Sequence, residues 1–211
     1  METPARDFFA YLDRPLRGRT RIFVALLCVP LLLSFAFPLW KISMTAPQYP
    51  KGLYMDIWSY KLSGGNGGHD IEEINNLNHY IGMHKITRSE LQDLEWMPAA
   101  LGALALLCLR TALLGNVRTL IDMSMLAGYV ALFAFARFVY VLYQFGHDLD
   151  PTAPMNIPPF QPVIVGTKRI ANFTTHSLPQ AGSVLVGVFV GGLWLVTLRG
   201  LWQGRRASRT A

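Results

Sequence analysis

The chain has 211 residues, 52% of them hydrophobic and only 15% charged, with a formal net charge of +6. An ordinary soluble domain carries about 25% charged residues, so composition argues against a water-soluble globule. The charge is distributed as a topology signal. Eleven arginines and four acids fall on the expected inner side, in the tails, one short connection and the adjoining span ends, whereas the two long loops hold seven bases against nine acids.

A membrane span needs about 20 mainly apolar residues, and four such blocks are present, at Ile22–Trp40, Trp96–Leu114, Leu120–Tyr143 and Ser183–Trp202. Positive residues favour the cytoplasmic side. Both termini are therefore expected in the cytoplasm, with loops 41–95 and 144–182 on the outer side of the membrane. The expected fold is an all-α integral membrane protein, residues 1–211 forming one membrane domain, with a mixed helix and extended cap made by the outer loops. The bilayer is the first partner. The basic tails need topology and anionic lipid only, so no nucleic acid is implied.

In chain order, Phe8–Leu12 reads as a short amphipathic turn in the inner interface. The first apolar block is too long for a signal-peptide core and reads as an uncleaved anchor. Pro30 and Pro38 are expected to kink it. Loop one opens with Met44–Leu53, an extended lead into a turn. Leu53–Tyr60 is rich in β-formers and predicts a short strand. Ser63–Gly68 reads as a flexible turn. Asp70 caps a helix predicted over Asp70–Ile81, with acids in its first turn, Ile74, Leu77 and Ile81 on one stripe, and Gly82 at its end. Thr87–Gln92 predicts a second short helix.

Spans two and three form a hairpin about Gly115 and Asn116. Loop two has prolines at 151, 154, 158, 159 and 162 and is expected to be extended. Its apolar run Pro162–Gly166 is expected to pair with loop one or to dip into the membrane surface. Span four carries Gly187, Gly191 and Gly192, a small-residue face for close helix contact.

Several chemistries are absent. No CxxCH is present for covalent haem, and no CxxC for a thioredoxin-like or zinc-ribbon site. Cys28 and Cys108 lie at similar depth in their spans and read as helix packing. There is no GxSxG, P-loop or dinucleotide fingerprint, which favours a non-enzymatic role. All five histidines lie in the outer loops. His79, Met83 and His84 fall at the end of the predicted loop helix, where they are placed to converge on one ion. Imidazole and thioether together suit copper. The competing reading is a packed loop with no ion. Arg137, inside span three, is the other unusual residue, because intramembrane charge suggests function. It is expected either to snorkel to the outer headgroups or to bond Asp93, Glu95 or Asp148.

The segments Met44-Thr-Ala-Pro-Gln-Tyr-Pro-Lys-Gly-Leu53 and Leu77-Asn-His-Tyr-Ile-Gly-Met83 resemble a family of little-characterised bacterial four-span inner-membrane proteins. In loop two the resemblance extends to Pro159–Pro162 and Ile170–Phe173. That family is associated with copper-dependent respiratory enzymes. The resemblance implies His79 and Met83 as the site, with Asn75 and Asn78 around it; His69 and His84 lie outside its motifs. The function it implies is a copper-handling or assembly factor on the periplasmic side, with a membrane or periplasmic protein as partner. The alternative is a structural accessory subunit of a respiratory complex, anchored by Tyr80 and Ile81. A third possibility is an enzyme acting on lipid or quinone, with Arg137 binding an anion.

Overall fold

The computed structural model describes residues 9–170 and 172–207. Phe8 and Ala171, each part of a motif noted above, lie outside them. Four helices are long and apolar enough to cross a membrane: Gly18–Ala36, Asp93–Leu114, Val117–His147 and Ala181–Arg205. The chain divides into two compact units, one of residues 1–33, 99–132 and 185–211, the other of residues 34–98 and 133–184.

The first unit is helical. It contains α1 (Gly18–Leu33) and the greater parts of α3 (Asp93–Leu114) and α5 (Ala181–Ala207), with the first half of α4 (Val117–His147). Its core is apolar and tight. Val24, Leu27 and Leu31 of α1 are buried, as are Phe189 and Leu193 of α5. Large residues such as Leu106, Leu113 and Leu195 are exposed, as expected of helices whose outer faces meet lipid. Gly192 permits close packing of α1, since a Cβ there would lie 2.5 Å from Leu27 Cδ2. Gly187 and Gly191 face open space, so the expected three-glycine face reduces to one residue. Cys28 and Cys108 do face each other's helices: Cys28 Sγ lies 3.7 Å from Ala105 O and Cys108 Sγ 3.4 Å from Val24 O.

The second unit corrects the all-α expectation. It holds a five-stranded antiparallel sheet in the order β3-β2-β1-β5-β4. The strands are β1 (Trp40–Ala46), β2 (Tyr49–Ile57), β3 (Leu62–Gly64), β4 (Gly166–Ile170) and β5 (Phe173–Pro179), and the sheet is accompanied by the loop helix α2 (His69–Tyr80). Trp40, expected to end a span, begins β1 instead. Helix α1 stops at Leu33 and a 3-10 turn follows over Ser34–Ala36, so Pro38 lies beyond the helix and kinks nothing. The extended lead of loop one is a hairpin in which Ala46 pairs with Tyr49 across Pro47 and Gln48, with an irregular register between Met44 and Ala46. Thr87–Gln92 is a turn, not a helix. Residues 162–165 form no strand; pairing with loop one is made by β5, against β1.

Helix α2 forms where its apolar stripe predicts. Its last turn is closed by Ile81 and Met83 amides, which both donate to Asn78 O, at 3.2 and 2.9 Å. Gly82 sits there with φ +78°. A side chain at 82 would also collide with loop two, its Cβ lying 2.8 Å from Asp150 O.

Candidate functional site

Antiparallel partners project side chains to the same face of a sheet. The register sets Leu53, Met44 and Thr175 in one row and Met55, Ile42 and Ser177 in the next. This face is mostly buried. Its polar Ser177 is fully satisfied, accepting from Trp40 Nε1 at 2.7 Å and donating to Ile164 O at 2.8 Å. The second bond fastens the apolar run of loop two against the sheet.

Helix α2 supplies the next wall. Ile74 and Asn78 lie one turn apart on the same face, and both are buried. Asn75 points elsewhere and grips the chain beyond the helix: Ile86 N donates to its Oδ1 at 2.7 Å, and its Nδ2 donates to Ile86 O at 3.2 Å. This two-way bond, amide to peptide, fixes the return of residues 83–86 beneath α2.

Between these walls lies a partly open cavity of about 150 Å³, also lined by Leu94 and Met97 of α3, Phe138 and Phe145 of α4, and Phe160 and Val163 of loop two. Four methionines line it: Met44, Met55, Met83 and Met97. Its polar residues are Asn78, Asp93 and Thr175. Asp93 is occupied. Arg137 donates to it twice, Nε to Oδ1 at 3.1 Å and Nη2 to Oδ2 at 3.4 Å, and Trp96 Nε1 donates at 2.7 Å. Asn78 is different. Its side chain is 2% exposed and its Nδ2 has no hydrogen-bond partner. A buried amide donor without a partner costs about 1–3 kcal/mol.

The metal ligands expected from sequence are not brought together. His79 is exposed on α2. It lies near Asp150, whose carboxyl is held below the usual carboxylate range chiefly by the Thr152 hydroxyl and amide, with a lesser attraction from His79. His84 is exposed and bonded to Asp148, Nε2 to Oδ2 at 3.0 Å. Met83 turns the other way, into the core with Met44, Ala46, Ile81 and Phe173. Met83 thus packs inward, while His79 and His84, on either side of the reversal at Gly82, stay exposed. Among the described residues, no three His, Cys, Asp or Glu side chains are grouped to hold an ion. Ile81, expected as an exposed anchor, is buried; Tyr80 is exposed.

Asn78 and Met83 from the sequence reading do reach the cavity, and Met44 and Met55 reach it from the strands. Met97 and the phenylalanines were not singled out. The detectable signal was alternation: Ile42 with Met44, and Leu53 with Met55, mark one face of each strand. No protein-family model, curated protein or solved structure matches the chain.

Proposed function

We propose that the chain is a multi-pass membrane protein whose sheet-containing unit binds a small lipophilic molecule in the methionine- and phenylalanine-lined cavity. The observation that carries this reading is Asn78, which lines a largely apolar cavity and whose buried Nδ2 has no hydrogen-bond partner. Buried polar groups are nearly always satisfied, and an exception calls for an explanation. A ligand acceptor supplies the missing bond. Methionine walls suit such a role because thioether side chains adapt to irregular shapes. Charge distribution supports placing this unit on the periplasmic side of a bacterial inner membrane, with both termini in the cytoplasm. The resemblance of loop one supports service beside a respiratory membrane complex, as an assembly factor or accessory subunit.

The test is organic extraction of the purified full-length protein, with mass spectrometry of what is released. A stoichiometric lipophilic compound is expected from wild type and not from Met55→Trp, which fills the cavity. Equal recovery from both proteins, or none from wild type, overturns the reading.

A second reading retains copper in a different place. The four methionines lining one cavity are the observation that favours it, since thioethers select Cu(I). Here Met83 is a ligand, and His79 and His84 are not. Titration of Cu(I) against a competing chelator is expected to show retention by wild type and loss in Met44→Leu/Met83→Leu. Unchanged retention in that variant removes this reading.

A further inference from the structure

The cavity's geometry and polarity restrict what fits it. About 150 Å³ is the size of an apolar cavity that accepts a single benzene ring, whereas drug-sized ligands need about 300 Å³ or more. The occupant therefore inserts one ring-sized group. Phe138, Phe145, Phe160 and Phe173 line the space, and aromatic and thioether walls favour a flat ring through stacking, edge-to-face and sulfur–π contacts. The lining residue with a buried, unpartnered group is Asn78, whose amide N–H calls for an acceptor on the ring. The guanidinium of Arg137 is already engaged by the lining residue Asp93 through two hydrogen bonds. A carboxylate ligand would meet Asp93 itself at the wall.

Resting on the proposed ligand-binding reading, we infer that the cavity takes the neutral, carbonyl-bearing ring of a lipid-soluble molecule, of aryl-ketone or quinone type, with its carbonyl oxygen accepting from Asn78 Nδ2. Asn78 is then the residue that selects a carbonyl over a hydrocarbon of the same shape. Arg137 neutralises Asp93 and does not bind an anion.

The experiment uses full-length protein in detergent and three probes followed by fluorine NMR: 4-fluoroacetophenone, 1-ethyl-4-fluorobenzene and 4-fluorobenzoate. After correction for partition into empty micelles, the ketone is expected to bind wild type about tenfold more tightly than the hydrocarbon, the equivalent of one hydrogen bond. The benzoate is expected to bind most weakly. In Asn78→Leu, of similar volume, the ketone preference is expected to vanish while the hydrocarbon still binds. Equal affinity of ketone and hydrocarbon in wild type overturns the inference and leaves the ligand-binding reading standing. Tightest binding by the benzoate does the same. Failure of all three probes overturns both. The wild-type ranking alone decides the matter should Asn78→Leu not fold.

Discussion

Arg137 on α4 holds Asp93 at the start of α3 through both oxygens, at 3.1 and 3.4 Å. This selects bonding over snorkelling for the one charge placed well inside a predicted span. It also explains the acid: Asp93 is only 13% exposed in its side chain, and Trp96 Nε1 shares it. A fork-to-fork arginine–carboxylate pair is the geometry in which such burial is tolerated.

Removing one partner strands the other charge. A fully buried pair loses about 3–5 kcal/mol on single truncation. With Arg137 32% exposed, solvent screening reduces the expected loss to about 2 kcal/mol for Arg137→Met. The double variant Arg137→Met/Asp93→Asn is expected to be less destabilised than the sum of the single changes. Equilibrium unfolding in mild detergent measures all three. Strict additivity would falsify the pairing.

Asn75 is expected to be a stability residue with no effect on any ligand. Asn75→Ala removes both bonds to Ile86 and leaves a peptide group without partners. A loss of about 1–3 kcal/mol follows from the unmet groups. Asn75→Asp keeps the acceptor for Ile86 N but loses the donor to Ile86 O, so a partial loss is expected at neutral pH and a recovery at low pH, where the protonated acid regains a donor. Hydrogen exchange at the Ile86 amide reads this directly: protection is expected to fall in Asn75→Ala and survive in Asn75→Asp.

The elements readable from sequence were those with local causes. Four apolar blocks became four membrane-length helices, and the stripe and glycine of Asp70–Gly82 became α2 within a residue at either end. The expected cap did not form: Gly68 is the N-cap, and Asp70, inside the first turn, instead accepts from Tyr54 N at 3.0 Å. The sheet escaped because its pairing is not local. Strand β1 at Trp40–Ala46 is completed by β5 at Phe173–Pro179, from the far loop. Strand β5 also conceals its period, since its inward positions after Phe173 are Thr175 and Ser177. An apolar-polar alternation is not visible when the buried face is made of hydroxyls. His79 and His84 stay exposed while Met83 packs inward for a related reason. Closeness in sequence says nothing of direction once Gly82 reverses the chain.

Tyr49 gives a pH signature to the packing of the hairpin on α2. Its hydroxyl donates to Glu73 Oε2, and this bond, followed by desolvation and the carboxylate's charge, raises the phenol above its ordinary value. The contribution is therefore fully present below the unfolded tyrosine value of about 10 and is lost as pH rises through the higher folded value. Spectrophotometric titration of tyrosinate is expected to show one late-titrating group that is missing in Tyr49→Phe and shifted back to the ordinary range in Glu73→Gln. An unaltered late group in Tyr49→Phe rules the assignment out.

Ser124 and Thr197 form a hydroxyl contact within the helical unit, 2.6 Å between oxygens, and both side chains are almost wholly buried. Ser124 Oγ also bonds Leu120 O on its own helix at 2.8 Å. Because that carbonyl remains available in the absence of Thr197, the contact between helices is not the only outlet for the Ser124 proton. Hydrogen bonds between membrane helices average about 0.6 kcal/mol and reach about 1.7 kcal/mol. A coupling near the lower figure is expected from the cycle Ser124→Ala, Thr197→Val and the double variant, since the serine falls back on its own helix when its partner is removed. Steric trapping or denaturant unfolding in bicelles provides the measurement. Coupling well above the upper figure would mean that the pair, rather than apolar packing of Leu27, Phe189 and Leu193, dominates the cohesion of this unit.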